Sequence, residues 1–270
     1  MGTPSGRLKN KVCIITGSGQ GIGKVAALKF ASEGAIVYVA EANEKTGEET
    51  AREIRKKGGR GIFVRTDVSR LADVRRLART VEKEQGRLHV IYNNASIYLP
   101  SADGKITEIA EKTWDRVLAV NLKSIYLLCR FGIPLMKEGG SIINTSSSAG
   151  TIGIPNCDAY TASKGATISL TRSLAVEYGP RGIRVNCIAP AGIRTPMMAQ
   201  SNLTDSTFDE ERFLALRSPS RRYGTPEEIA SIAAFLASDE SSYMNGAVVV
   251  ADGGTTINGD LSRIPVGGEG

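Results

Sequence analysis

Tyr160 and Lys164 stand four residues apart in the stretch 147–164, SSAGTIGIPNCDAYTASK. On a helix that spacing puts both side chains on one face, one turn apart. A free tyrosine ionises near pH ~10 and is a poor base at neutral pH, whereas an ammonium held close favours the phenolate and lowers that value. Such a pair is suited to moving a proton near neutrality. Ser147 lies thirteen residues before Tyr160, at the end of an apolar run containing Ile142 and Ile143. Its hydroxyl can donate to, or accept from, a substrate oxygen. A strand-end serine and a Tyr-Lys helix can therefore meet over one oxygen atom. Taken alone the pattern says little, because Tyr-x-x-x-Lys occurs by chance in many helices. Its meaning depends on what precedes it.

What precedes it begins with KVCIIT at 11–16, a short apolar run of the kind a buried parallel strand shows. It passes directly into Gly17-Ser18-Gly19-Gln20-Gly21-Ile22-Gly23, and a helix follows with Ile22, Val25, Ala26 and Phe30 on one face. Strand, glycine turn and helix form a layout for holding a pyrophosphate. The glycines let the backbone approach the ligand, and the helix N-terminus offers free N–H groups and the positive end of a dipole. AIVYVA at 35–40 is a second strand ending at Glu41. An acidic group about twenty residues after such a turn can accept from adenosine ribose hydroxyls and would repel a 2′-phosphate. Gln20 and Ala42 are not cations, so the pattern favours NAD over NADP.

The alternation continues. Residues 43–57 are charged and helical, stopped by Gly58-Gly59, and 61–65 form a third strand followed by Asp67 and Val68, placed to read an adenine edge. Asp67 also suits a helix N-cap near Ser69. Leu71, Val74, Leu77, Ala78 and Val81 make a helical stripe, and 88–92 form a fourth strand running into Asn93-Asn94-Ala95-Ser96. His89 there is expected to pack or hydrogen-bond without doing chemistry. Strands alternating with helices imply a parallel sheet covered on both faces.

With these residues in place, the chain resembles the short-chain dehydrogenase/reductase family from about Leu8 to Gly254. The family's Thr-Gly-x-x-x-Gly-x-Gly matches Thr16, Gly17, Gly21 and Gly23, and its Asn-Asn-Ala-Gly matches Asn93, Asn94 and Ala95, with Ser96 replacing the last glycine. Its Tyr-x-x-x-Lys matches Tyr160 and Lys164, and its serine, thirteen residues earlier, selects Ser147 over Ser146 and Ser148. A fourth family residue, an asparagine in a long helix, matches Asn121 in VLAVNL. The family's Pro-Gly after the sixth strand is Pro190-Ala191 here, with Gly192 following.

The resemblance implies a three-layer α/β/α Rossmann fold with a doubly wound, mostly parallel seven-stranded sheet. Residues 1–254 would form the single domain, 191–222 a substrate lid, and 255–270 a C-terminal tail. It implies that Ser18, Gln20, Ile22, Asn94, Ala95, Ser96, Pro190 and Ile193 lie along the cofactor, with Thr195 bonding the carboxamide. Asn121 would hold a water linking Lys164 to solvent. Lys164 would also bind the nicotinamide ribose, and Tyr160, also beside the cofactor, would be the general base for reversible oxidation of a secondary alcohol to a ketone. Rival expectations are an NADP-preferring carbonyl or 3-oxoacyl thioester reductase, and a non-catalytic NAD-sensing protein. The latter would be expected to lack one of Tyr160, Lys164 and Ser147. The two long helices would pack against a neighbouring subunit, giving a homotetramer.

The remaining composition sets bounds. The chain has 270 residues, 41% hydrophobic and 23% charged, with net charge +6, as one soluble domain should. The basic residues are scattered without interleaved aromatics, so no nucleic-acid partner is expected. Cys13, Cys129, Cys157 and Cys187 have no C-x-x-C spacing and read as reduced thiols in a cytoplasmic protein, and no metal site is expected. Residues 1–10 lack a signal-peptide core, and no run approaches the roughly 18 apolar residues of a membrane span. One helix or two are expected over 106–136, with Trp114, Val117, Leu118, Asn121, Leu122 and Ile125 near one face and a loop at 102–105. The helix carrying Tyr160 should cover 158–178. Thr225-Pro-Glu-Glu228 is a helix start with a capping box. Strands are expected at 184–188 and 247–250.

Overall fold

A computed structural model describes residues 6–137, 139–202 and 209–258. Among the described residues, seven strands form one sheet: β1 (Val12–Thr16), β2 (Ile36–Glu41), β3 (Arg60–Arg65), β4 (Val90–Asn93), β5 (Gly140–Thr145), β6 (Ile183–Pro190) and β7 (Val248–Ala251). Their spatial order is β3-β2-β1-β4-β5-β6-β7, and every pairing is parallel. The order reverses between β1 and β4, which opens a crevice at the strands' C-terminal ends.

The helices are α1 (Gly21–Ser32), α2 (Glu44–Lys56), α3 (Leu71–Gln85), α4 (Glu111–Leu118), α5 (Ser124–Gly132), α6 (Asp158–Tyr178), α7 (Pro196–Asn202), α8 (Glu210–Arg217) and α9 (Pro226–Ala237). Strand side chains alternate between two cores. Ile14 and Tyr38 face Val74, Leu77, Ile125 and Leu128 of α3 and α5. Cys13, Ile15 and Val37 face Phe30, Ile54 and Ala233 of α1, α2 and α9. The inner strands β1, β2, β4, β5 and β6 are therefore buried on both faces, which is why they read as continuous apolar runs, while the edge strands β3 and β7 are only partly covered. This is the expected three-layer fold.

Local chemistry sets the ends. Asn43 caps α2 by accepting from Thr46 N–H, and Thr225 and Glu228 form the expected capping box at α9. The ring of His89 accepts from Val12 N–H at 2.9 Å, a structural role as expected. Leu71 departs from its stripe: it opens α3 and is exposed, while Val74, Leu77, Ala78 and Val81 are buried. The span 106–136 resolves into α4, a π-helical turn (Ala119–Lys123), α5 and a 3₁₀ turn (Ile133–Leu135). This stretch corrects the expectation of no membrane-length apolar run. Glu111–Leu135 is long and apolar enough by composition, and more than half of that window is buried inside the fold.

Candidate active site

The glycine turn leaves β1 with Gly17 at φ +62°, and a Cβ there would come within 2.8 Å of Ala95 Cα. A Cβ on Gly23 would overlap Gly17 O and Asn94 Nδ2. Gly23 thus serves the close packing of α1 on the turn and does not line the cavity, unlike Gly17 and Gly21. Ser18 also points away: its Oγ donates to Ile15 O at 2.8 Å and the residue is fully buried. The Ser18 hydroxyl closes the turn, which leaves only its main chain to lie along a cofactor. The Asn94 amide donates to Thr16 O at 3.0 Å and to Gly17 O at 3.3 Å, tying the segment after β4 to the turn. The N–H groups of Asn94 and Ala95 both reach Thr16 Oγ1 at 3.1 Å.

Glu41 ends β2 with both carboxylate oxygens held, Oε2 by Gly19 N–H and Oε1 by Asn43 N–H, each at 3.0 Å. A carboxylate has about four acceptor positions, so it keeps capacity for hydroxyl donors. Asp67 accepts from both N–H and Oγ of Ser69 through one oxygen, an Asx turn, and the residue lines the cavity. A cavity of about 1090 Å³ runs along these strand ends. Its walls include Gly17, Gln20, Gly21, Ile22, Glu41, Asp67 and Val68 at one side. Asn94, Ala95, Ser96, Ser147, Tyr160, Lys164, Pro190, Ile193 and Thr195 line the rest, while the expected Ser18, Gly23 and Asn121 do not reach it. The glycine cradle, the fixed carboxylate and a cavity of this length fit a dinucleotide with a small substrate beside it.

α6 carries Tyr160 and Lys164, the pair expected to move a proton. Lys164 is 1% exposed, and its Nζ donates to Thr145 O at 2.9 Å while lying 5.4 Å from the Tyr160 ring centroid. Burial pulls this ammonium down to about 8, against a small upward pull from Cys187. Tyr160 is half-buried, and burial pushes its phenol up to about 12. The Ser147 hydroxyl opposes that shift, Cys157 and Tyr98 add to it, and Ser96 opposes it weakly. The sequence suggested that Lys164 would bring the phenol down. In this geometry desolvation is the largest influence on the phenol, and the Lys164 ammonium commits its hydrogen bond to Thr145 O.

The helix is keyed to the sheet by a buried polar seam. Asn93 Nδ2 donates to Asn144 Oδ1 at 2.8 Å, and Asn144 Nδ2 to Thr171 Oγ1 at 2.9 Å. Thr171, Thr167 and Ser163 then each donate back to the carbonyl one turn earlier, ending at Tyr160 O. Asn121 sits in the π-helical turn, a distortion common at functional sites. Its Oδ1 accepts from Ile97 N–H at 2.8 Å, and its Nδ2 donates to Ile97 O at 3.0 Å and Ser163 Oγ at 3.1 Å. The side chain clamps the segment after β4 against α6, where the resemblance implied a water-holding role, and it does not line the cavity.

Two contributors escaped the sequence. The Tyr98 ring tilts against Tyr160 with centroids 5.2 Å apart. Asp103, buried in the loop before α4, accepts from Ala159 N–H at 3.1 Å and Tyr160 N–H at 2.9 Å. Its neighbour Gly104 also donates to it. Both contacts span more than fifty residues, and no local pattern marks them. In the lid, Ile193 pairs with Gly224 across a β-bridge and Tyr223 packs on Gly192. Residues 203–208 of the lid and 259–270 of the tail lie outside the described residues.

Known proteins agree with this geometry. A family model described as enoyl-(acyl carrier protein) reductase matches residues 17–256. An uncharacterised oxidoreductase, YxbG of Bacillus subtilis (strain 168), is 40% identical over 253 residues, covering 92% of each chain. The crystal structure of levodione reductase superposes with a TM-score of 0.87 at 34% identity, covering 93% of this chain and 99% of the other. A protein described as an NAD(P)-dependent gluconate 5-dehydrogenase from Beutenbergia cavernae, with NADP bound at low occupancy, gives a TM-score of 0.86 at 33% identity. That match covers 94% of this chain and 100% of the other. The chain belongs to the short-chain dehydrogenase/reductase family, and it is a nicotinamide-dependent oxidoreductase acting on alcohol and carbonyl substrates.

Proposed function

We propose that the enzyme uses NAD and reversibly oxidises a neutral secondary alcohol to its ketone, with Tyr160 as the proton-transferring residue. One observation carries the cofactor preference. Glu41 is locked by two backbone N–H groups at the end of β2, so its negative charge stays where a 2′-phosphate would have to sit. Arg116, the basic residue near Asp67, is bonded to Ser69 Oγ at 3.2 Å. The glycine turn, Asp67, Val68, Asn94 and Thr195 would hold the cofactor, and Lys164 would meet its nicotinamide ribose.

The nicotinamide supplies the hydride acceptor when bound. The protein supplies position and proton traffic. Ser147 Oγ fixes the substrate oxygen, and Tyr160 removes its proton during oxidation or returns one during reduction. Lys164, held at Thr145 O, places a cation below the ring and favours the phenolate. Tyr98, Ile152, Ile154, Met197, Met198 and Leu214 line the cavity as apolar walls, which supports an uncharged substrate. Assembly as a homotetramer through α5 and α6 is part of this reading, supported by the exposed Tyr126 and Val176 on those helices.

A screen of secondary alcohols, sugars and hydroxysteroids, run in parallel with NAD and NADP, tests the reading. The expected result is turnover on apolar secondary alcohols with a higher kcat/KM for NAD. Preference for NADP would overturn the cofactor assignment, and absence of turnover across the panel would overturn the reaction.

A further inference from the structure

Four buried side-chain oxygens among the described residues have no hydrogen-bond partner: Tyr92 Oη, Ser96 Oγ, Thr145 Oγ1 and Tyr223 Oη. An unpaired buried hydroxyl is costly and calls for a reason. Ser96 is the one that also departs from its family's motif, which has glycine at this position. It lies on the cavity wall together with Ser147 and Tyr160.

The backbone around Ser96 has little freedom. On one side, Asn94 and Ala95 N–H groups are held by Thr16 Oγ1. On the other, both the N–H and the C=O of Ile97 are clamped by Asn121, whose amide also bonds Ser163 on α6. One residue further, the Tyr98 ring rests against Tyr160. The Ser96 hydroxyl is thus presented to the phenol by a segment fixed to both the glycine turn and the catalytic helix. We propose that Ser96 is a positioning residue of the reaction, whose Oγ–H donates a hydrogen bond to the Tyr160 phenolate oxygen as that oxygen takes up negative charge. This rests on the assignment of Tyr160 as the proton-transferring group.

The physical case is a matching of donors to charge. Lys164 lies under the Tyr160 ring from its own helix, and Cys157 adjoins the phenol from that helix's N-terminus, Tyr98 from the loop before α4 and Ser147 from the end of β5. The two nearby carboxylates are engaged with the main chain, Asp103 with Tyr160 N–H and Asp158 with Ile106 N–H. Of these Cys157 and Tyr98 oppose phenolate formation, Lys164 is committed to Thr145 O, and Ser147 Oγ already accepts from Ala149 N–H while serving the substrate oxygen. Ser96 is a hydroxyl with no other commitment. It lies close enough to favour the ionised phenol, although no bond of proper geometry joins it to the neutral one. A donor that bonds the charged form better than the neutral form lowers the energy of the state in which the base works.

The test compares Ser96→Gly, Ser96→Ala and Ser96→Thr with the parent enzyme. Each is paired with Tyr160→Phe in the same background, so that the near-ultraviolet tyrosinate signal of Tyr160 is obtained by difference with NADH bound. The Tyr160 midpoint should rise by about one pH unit in the Gly and Ala variants and return in the Thr variant. The alkaline-directed limb of the kcat profile should move with it, while NADH affinity by fluorescence titration stays within about twofold. An unmoved midpoint, or a loss of NADH affinity without a shift, overturns the proposal. The spectroscopic midpoint does not need turnover, so a parent enzyme inactive on every alcohol would count against the reaction and leave this readout to decide on Ser96.

Discussion

The carboxylate of Asp103 accepts from the main-chain N–H of Tyr160 at 2.9 Å, so the loop before α4 holds the residue proposed to move the proton. The same carboxylate takes Ala159 N–H, and Asp158 answers by accepting from Ile106 N–H at 2.9 Å. The N-cap residue of α6, Cys157, makes no side-chain cap of its own. The first turn of the catalytic helix is therefore closed by a group from fifty-odd residues away.

Asp103→Ala should cost about 0.5–2 kcal/mol of folding stability, the usual loss for a deleted cap, and should lower kcat more than it raises KM. Asp103→Asn keeps acceptor oxygen for one of the two N–H groups and should fall between. Urea unfolding and steady-state kinetics on the same preparations check this. Equal stability of parent and Ala variant would remove the capping role.

Tyr160→Phe deletes only the hydroxyl and keeps the ring that packs against Tyr98. NADH binding should be retained while turnover falls roughly 10²–10⁴-fold, the usual worth of a positioned acid-base group. Fluorescence titration and a coupled assay separate the two. A variant turning over at parental rates would show that another group carries the proton.

Lys164 makes a stability prediction with a definite sign. Burial lowers its folded value from the ordinary 10.5 to about 8. Between those values the unfolded chain binds more protons, so this group's contribution rises as pH climbs through the window, and below it the buried charge costs about 3 kcal/mol. Lys164→Met leaves Thr145 O without its donor, which offsets ~1–3 kcal/mol of that relief. The variant should be inactive yet at least as stable as the parent at pH 7, and its advantage should vanish above about pH 10.5. Denaturation at both pH values decides it, and a destabilised variant at pH 7 contradicts the sign.

Glu41→Gln removes the charge at the end of β2 while keeping one acceptor oxygen. The ratio of kcat/KM for NADP over NAD should rise at least about tenfold, equivalent to a modest relief of charge repulsion. The ratio is measured with both cofactors on one substrate. No change in it would detach Glu41 from cofactor choice.

Much of this architecture was legible in the chain. Strands buried on both faces are unbroken apolar runs, and the Tyr160–Lys164 pair needs only helical spacing to share a face. Side-chain direction within the glycine turn was not legible: Ser18 closes the turn on Ile15 O, and nothing local distinguishes that from facing a ligand. The π-helical turn at Ala119–Lys123 inserts an extra residue that a 3.6-residue period does not encode. Asp103 and Tyr98 reach the site only through the folded loop, so tertiary contact alone reveals them. The shared face of Tyr160 and Lys164 was legible while the upward push on the phenol was not, because desolvation depends on the burial that folding produces.

The polar seam from Asn93 through Asn144 to Thr171 has a consequence for how such an enzyme can change over time. Branched hydrocarbon surfaces tolerate sliding by a fraction of a turn, whereas paired donors and acceptors accept one axial setting. With α6 indexed to β5 in this way, the cavity's apolar rim is free to drift toward new substrates while the phenol keeps its aim.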